Sequence, residues 1–184
     1  MYMEVHTLKK TKNKLVSLIM IAAFIFSLNT KADEIVYDEN SVEYEVWHTM
    51  EDLGYSDYAI AGAMGNMYWE SHFETQAVEC GGSGYGLVQW TGSRQWDFVD
   101  FCTDNGYSTA SVYAQIIFLD KESQSNSRYY AWMDNGGFTK VNFDYGETIE
   151  ETTSAFFHCF ERPGDDSLLD RIAAAYRYYE YFVN

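Results

Sequence analysis

The chain contains very little proline and few basic residues. Its 184 residues include one proline and 12 lysines and arginines, against 28 aspartates and glutamates, so the formal net charge is −16. Proteins that bind nucleic acid neutralise phosphates with clustered Lys and Arg, which argues against a nucleic-acid partner. Disordered chains are poor in aromatic residues, whereas aromatics make up 18% of this sequence. We therefore expect a folded, acidic domain.

The first 32 residues have the pattern of a secretory signal peptide. Four lysines between positions 9 and 14 precede the apolar run Leu15–Leu28, and Ala32 offers a small side chain at the expected cleavage site. The run is shorter than the roughly 20 residues that a transmembrane helix needs. We predict a signal peptide over 1–32, a catalytic domain over 33–184, and a secreted protein without stable membrane insertion after cleavage. An uncleaved membrane anchor is the alternative.

Cysteine is also scarce. An exported protein can form disulfides, but the odd count of three (Cys80, Cys102 and Cys159) leaves at least one thiol free, and the pairing stays open. The sequence contains no CxxC spacing, so we predict neither a zinc site nor any other metal or cofactor. A cysteine peptidase that uses Cys80 or Cys159 is disfavoured, because neither lies at the start of a helix, where a thiol pKa is lowered.

Helical periodicity dominates the remainder of the chain. Ser41 and Ser56 are suitable N-caps, and the pattern predicts helices over 42–53, 57–70, 93–105, 108–122, 128–135, 147–160 and from about 165 to 181. Residues 87–90 and 138–145 are predicted to be extended, and the glycines of 80–86 predict turns or a short hairpin. The prediction is one α+β domain that is mainly α, with a small glycine-rich β element.

The second predicted helix carries two interior glycines. Each costs about 1 kcal/mol relative to alanine, so we expect Gly62 and Gly65 to allow close packing against a neighbour. Glu70 ends this almost wholly apolar helix, beside Trp69. An apolar environment favours the neutral form of a carboxyl group, which can then donate a proton to a glycosidic oxygen. Alternatively, Glu70 only marks the solvent end of the helix.

Four segments follow one another in an order that carries a family resemblance. They are GNMYWES at 65–71, GYGLVQWT at 84–91, YAQ with FL within 113–119, and FERP at 160–163. Together they resemble the phage tail lysozyme family of small peptidoglycan hydrolases, over about 42–182. The resemblance implies a lysozyme-like fold whose β element lies beside the catalytic helix. It also implies cleavage of the β-1,4 bond from N-acetylmuramic acid to N-acetylglucosamine in peptidoglycan glycan strands.

The resemblance implies roles for individual residues. Glu70 matches the catalytic acid, and Gln89 matches a glutamine that lines the cleft. Tyr85 and Trp90 lie where aromatic faces could stack on sugar rings, although aromatic residues of the core are the alternative. Glu161 and its neighbour Arg162 are interpreted as structural, because a charged pair at a helix end more often tethers than catalyses.

The sequence identifies a second catalytic carboxylate less clearly than it identifies Glu70. Glu79 is the first candidate because it enters the glycine-rich turn on the side of the cleft, and Glu74 is the second. If neither serves, a group of the substrate completes the reaction, and a 1,6-anhydro product would indicate a lytic transglycosylase. A non-catalytic domain that binds wall carbohydrate is the remaining alternative. We expect a monomer associated with the cell wall.

Overall fold

Seven α-helices and one π-helical turn make up most of the described chain, which comprises residues 39–79 and 82–183 of a computed structural model. In order they are α1 (Val42–Asp52), α2 (Asp57–Ser71), α3 (Gly92–Asn105), α4 (Val112–Ser123), α5 (Lys140–Asp144), α6 (Ile149–Ala155), the π turn (Phe156–Glu161) and α7 (Leu168–Val183). The predicted mainly helical architecture is confirmed. None of the described helices is both long and apolar enough to cross a lipid bilayer. The predicted signal peptide and Cys80 lie outside the described residues.

Serine side chains begin three of the helices. The hydroxyl oxygens of Ser41, Ser56 and Ser111 each accept a hydrogen bond from the backbone N–H three residues further on. Such a bond satisfies one of the free N–H groups at a helix N-terminus. The caps at Ser41 and Ser56 are those predicted. Helix α4 begins at Val112, after its own cap, and not at the predicted residue 108.

The interior glycines of α2 lie where other helices approach its backbone. A Cβ on Gly65 would lie 2.7 Å from the Cβ of Ala175 in α7 and would also collide with the carbonyl oxygen of Arg171. A Cβ on Gly62 would lie 2.8 Å from the backbone nitrogen of Thr153 in α6. The predicted close packing is therefore confirmed, and it brings α7 against the helix that carries Glu70.

Gly65→Ala is expected to lower the free energy of unfolding by about 1–3 kcal/mol, because the added methyl group must push α2 and α7 apart. Gly164→Ala is the matched control, since a Cβ at that position meets no atom within 4 Å. Urea denaturation of the two variants measures the difference. Equal stability would contradict the close packing of the two helices.

The glycine-rich segment forms turns, and its described residues contain isolated bridges in place of strands. Antiparallel bridges join Val78 to Tyr85 and Tyr85 to Trp90. Residues 87–90, predicted to be extended, form a turn in which Gln89 has a left-handed φ of 47°. The expectation of an extended 87–90 segment is therefore wrong, because the turn brings Trp90 back to pair with Tyr85.

Two further segments differ from the sequence prediction. Residues 128–135 are not helical, because their backbone bonds to other parts of the fold. Ala131 N–H donates to the backbone carbonyl oxygen of Glu122, and Met133 N–H donates to that of Cys159. Residues 138–145 were predicted to be extended, yet they contain the short helix α5. There the side-chain oxygen of Asn142 accepts a hydrogen bond from the backbone of Thr139, which starts the helix. Long-range hydrogen bonds determine the conformation of the first segment, and capping hydrogen bonds determine that of the second.

Candidate active site

A cleft of about 540 Å³ opens beside the C-terminal end of α2. Its volume is within the range of small-molecule sites. Three predicted site residues line it, namely Glu70, Glu79 and Gln89. Three charged residues from other elements line it as well, namely Arg94, Glu161 and Arg171. The fold therefore brings together side chains that are up to 101 positions apart in the sequence.

Glu70 is held by a buried arginine. Its Oε1 lies 2.7 Å from Nη2 of Arg171, and the two side chains are 18% and 1% exposed, respectively. Arg171 is fixed in turn, because Nε donates to Ser167 Oγ at 2.8 Å and Nη1 donates to Asn66 Oδ1 at 3.2 Å. The sequence predicted apolar surroundings for Glu70, and the structure adds a guanidinium group to them.

The sequence does contain a signal for this arginine. The buried residues of α7 are Arg171, Ala174, Ala175 and Tyr178, which follow the spacing of one helix face. An arginine on an apolar stripe is rarely fully buried unless it is paired. Position 171 could therefore have been recognised as the partner of a buried carboxylate, but the sequence does not indicate which carboxylate.

Two polar side chains from the quoted motifs fix the turn region beside Glu70. Ser71 Oγ donates to the carbonyl oxygen of Leu87 at 3.0 Å, which ties the end of α2 to this turn. The side chain of Gln115 in α4 accepts from the N–H of Leu87 at 2.8 Å and donates to the backbone carbonyl oxygen of Thr75 at 2.7 Å. Both side chains are buried. They set the position of the loop that forms one wall of the cleft.

Gln89 and Glu79 both lie on this loop wall. The Gln89 side chain donates to the carbonyl oxygens of Gly86 at 2.8 Å and Ala77 at 3.3 Å, so it is held at the cleft by its own loop. Glu79 lines the cleft and is exposed. Glu74 is also exposed, but it does not line the cleft. Of the two candidates for a second carboxylate, only Glu79 therefore lines the cleft.

Trp90 and Tyr85 do not line the cleft. Trp90 is 1% exposed and stacks on Phe98 with a centroid separation of 4.7 Å. Tyr85 is half-buried, and its hydroxyl group donates to Thr109 at 3.1 Å. The structure thus gives Trp90 a place in the core, where it cannot take the sugar-stacking role that the sequence predicted. Trp69 is the aromatic residue that lines the cleft, with 42% of its surface exposed.

Trp90 supports the cleft from within the core. Its indole N–H donates to Glu122 at 2.6 Å, and Glu122 also accepts from Nε and Nη2 of Arg94 at 2.7 and 3.0 Å. The guanidinium group of Arg94 lies 4.3 Å from the ring centroid of Phe160 and lines the cleft. A buried carboxylate therefore links the tryptophan of the motif to a cationic wall residue.

The π turn places Glu161 on the wall of the cleft. Its last bond runs from Arg162 N–H to the Phe157 carbonyl at 2.8 Å, and Arg162 has a left-handed φ of 54°. The Arg162 side chain donates to the carbonyl oxygens of Ala131 and Cys159, as a structural residue would. Glu161 is different, because it lines the cleft and its Oε1 is buried without a hydrogen-bond partner among the described residues.

The environment of Glu161 favours its neutral form. Burial is the largest cause that raises the pKa of Glu161 well above its ordinary value, and the negative charge of Glu70 raises it further. Arg94 and Arg171 act in the opposite direction without cancelling the rise. The residue as a whole is half-buried, but its Oε1 is fully covered. The cleft therefore contains one carboxyl group in an ion pair and a second whose surroundings favour its neutral form.

The described cysteines are poor nucleophiles. Cys102 and Cys159 are free and buried. Burial raises the pKa of Cys102 to about 11 and also raises the pKa of Cys159. Because a thiol attacks in its deprotonated form, neither residue is suited to the chemistry of a cysteine peptidase.

The comparison with known proteins gives a family match that includes the whole cleft. A family model described as phage tail lysozyme matches residues 41–182. The matched range contains α1, most of α7 and every cleft residue named above. No curated protein gives a significant match to the chain.

Proposed function

The chain belongs to the phage tail lysozyme family of lysozyme-like peptidoglycan hydrolases, and on that basis we propose that it is a secreted muramidase. It cleaves the β-1,4 bond between N-acetylmuramic acid and N-acetylglucosamine, and Glu70 is the general acid. The observation that carries this proposal is the position of Glu70 at the end of α2, on the wall of the cleft that also contains Gln89. Secretion is supported by the pattern of residues 1–32.

The proposed reaction follows from the groups on the cleft wall. Glu70 protonates the glycosidic oxygen as the bond to C1 of the muramic acid breaks, and positive charge develops on the sugar ring. Water adds at C1 and loses a proton. Glu79 is the proposed partner carboxylate, because it lines the same cleft and is exposed to solvent. Arg171 holds Glu70 in place at the cleft wall through the 2.7 Å ion pair between its Nη2 and Glu70 Oε1.

Binding of the glycan would depend on contacts inside the cleft. The chain is strongly acidic, and an acidic surface repels anionic polymers. Trp69 offers an exposed aromatic face for a sugar ring, and backbone and polar groups beside Gln89 can bond sugar substituents. The proposed substrate is therefore recognised by stacking and hydrogen bonding, without long-range attraction.

Mass spectrometry of the products tests the proposed reaction. Purified protein incubated with isolated peptidoglycan is expected to release muropeptides that end in a reducing N-acetylmuramic acid. Products that end in 1,6-anhydro-N-acetylmuramic acid would instead identify a lytic transglycosylase. Binding to glycan strands without any release would identify a carbohydrate-binding domain and contradict the enzymatic assignment.

A further inference from the structure

The Glu161 carboxyl group is placed in the cleft by an unusual piece of backbone. A π turn adds one residue to a helical turn, and such turns occur frequently at functional sites. A left-handed conformation is uncommon for a residue other than glycine, yet Arg162 adopts it directly after Glu161. The side chain of Arg162 is fixed to two backbone carbonyls, so it holds this geometry in place. The backbone is thus arranged around the position of Glu161.

One oxygen of the Glu161 side chain lacks the hydrogen bond that a structural glutamate would make. This oxygen, Oε1, is buried and accepts no hydrogen bond from any of the described residues. Buried polar groups in folded proteins nearly always have a partner, and an exception calls for an explanation such as a catalytic role. A structural glutamate at this position would be expected to bond to a neighbour, as Glu122 does with Arg94 and Trp90.

The charged groups that surround Glu161 come from four helices. Glu70 belongs to α2, Arg94 to α3, Glu122 to α4 and Arg171 to α7, and Arg162 follows Glu161 in the chain. The other titratable groups on the cleft wall are His72, Glu79 and Asp165. Two like charges close together cannot both ionise without cost, and here Glu70 is the carboxylate that already has an ion pair.

We propose that Glu70 and Glu161 share one proton, which rests on Glu161 between turnovers and moves to Glu70 for the reaction. This inference rests on the proposed function. Arg171 makes the exchange feasible, because it is paired with Glu70 and its charge also acts on Glu161. When Glu161 gives up its proton, Arg94 and Arg171 stabilise the carboxylate that results. Glu161 is thus a positioning residue for the proton and acts through Glu70.

The proton returns at the end of the cycle. Glu161 passes its proton to Glu70, and Glu70 passes it to the glycosidic oxygen as the bond between C1 and that oxygen breaks. Water then adds its oxygen to C1 and loses a proton to Glu79. Glu79 releases that proton to the solvent, and Glu161 takes one proton back from the solvent. One water molecule is consumed for each bond broken, and both carboxyl groups regain their starting state.

Glu161→Gln separates this role from a structural one. Glutamine has the shape of the neutral carboxyl group but cannot pass a proton on. We expect kcat to fall at least about tenfold near pH 7 with little change in KM, and the deficit to shrink toward pH 5, where bulk solvent supplies protons more readily. Glu147→Gln is the control, because Glu147 is exposed and lies outside the cleft. Wild-type kcat in Glu161→Gln, or a loss that is the same at both pH values, would overturn the proposal.

A titration without substrate tests the shared proton directly and does not depend on how Glu161→Gln folds. Carbon-13 NMR of the wild-type protein is expected to show Glu161 titrating above the ordinary value of about 4.3 for glutamate. In Glu70→Gln the pKa of Glu161 should decrease, because the neighbouring negative charge is removed. A wild-type Glu161 that titrates in the ordinary range, or one that is insensitive to Glu70, would overturn the inference. If the wild-type protein releases no muropeptides, the proposed function fails, while the titration still decides whether the proton is shared.

Discussion

Glu70→Gln is expected to abolish the release of muropeptides from peptidoglycan while the protein stays folded. Glutamine cannot protonate a leaving group, and general acid catalysis typically contributes 10²–10⁴-fold, so we expect kcat to fall by at least about 100-fold. The side-chain oxygen of the glutamine can still accept a hydrogen bond from Arg171, and Asn66 and Ser167 continue to hold that arginine. Rates of muropeptide release together with thermal denaturation measure the two effects separately.

Glu74→Gln is the matched control for this loss. Glu74 follows α2 by three residues and is exposed, but it does not line the cleft. The substitution removes the same charge from the same region, so activity should stay at the wild-type rate. A folded Glu70→Gln protein that cleaves peptidoglycan at full rate would contradict the assignment of Glu70 as the general acid.

The helix that carries Glu70 was predictable because its signals are local. Ser56 caps its first turn, and the run from Ala59 to Met67 is apolar enough to be buried on all sides. The partner of Glu70 was not predictable in the same way. Arg171 lies 101 positions later in the sequence, and only the folding of α7 against Gly65 brings its guanidinium group to the end of α2. Pairing between distant charges depends on the packing of helices, which periodicity does not specify.

The turn region shows why a motif can be identified while its residues are assigned the wrong roles. The segment from Leu87 to Trp90 looks extended in sequence, because it combines branched, apolar and aromatic residues. In the structure Gln89 takes a left-handed conformation, and its amide group bonds to Gly86 and Ala77. Trp90 then enters the core and bonds to Glu122. A motif contains residues that build the site as well as residues that form its surface.

Glu161 shows what the sequence does not reveal about the cleft wall. The sequence interpretation grouped it with Arg162 as a structural pair, and the contacts of Arg162 fit that interpretation. Helical periodicity cannot reveal a π turn, because one extra residue in a turn leaves no mark on the composition. That single residue determines whether position 161 faces the cleft, so the place of Glu161 on the cleft wall became visible only in three dimensions.

Arg171→Met is expected to lower the free energy of unfolding by about 3–5 kcal/mol, the usual cost of removing one partner of a buried ion pair. The three guanidinium nitrogens of Arg171 serve three different acceptors, Glu70, Ser167 and Asn66. Arg171→Lys should recover only part of the loss, because one ammonium group cannot reach all three positions in the same geometry. Urea denaturation measures both variants.

Arg177→Met is the matched control on the same helix. Arg177 lies over the ring of Tyr68 and pairs with no carboxylate among the residues that the structure describes. Its removal should cost only about 1–2 kcal/mol, because Arg177 is half-buried and loses a cation–π contact but no ion pair. The double variant Arg171→Met with Glu70→Gln should be less destabilised than the sum of the single variants, because no uncompensated carboxylate remains. Strict additivity of the two substitutions would show that the ion pair contributes nothing to folding.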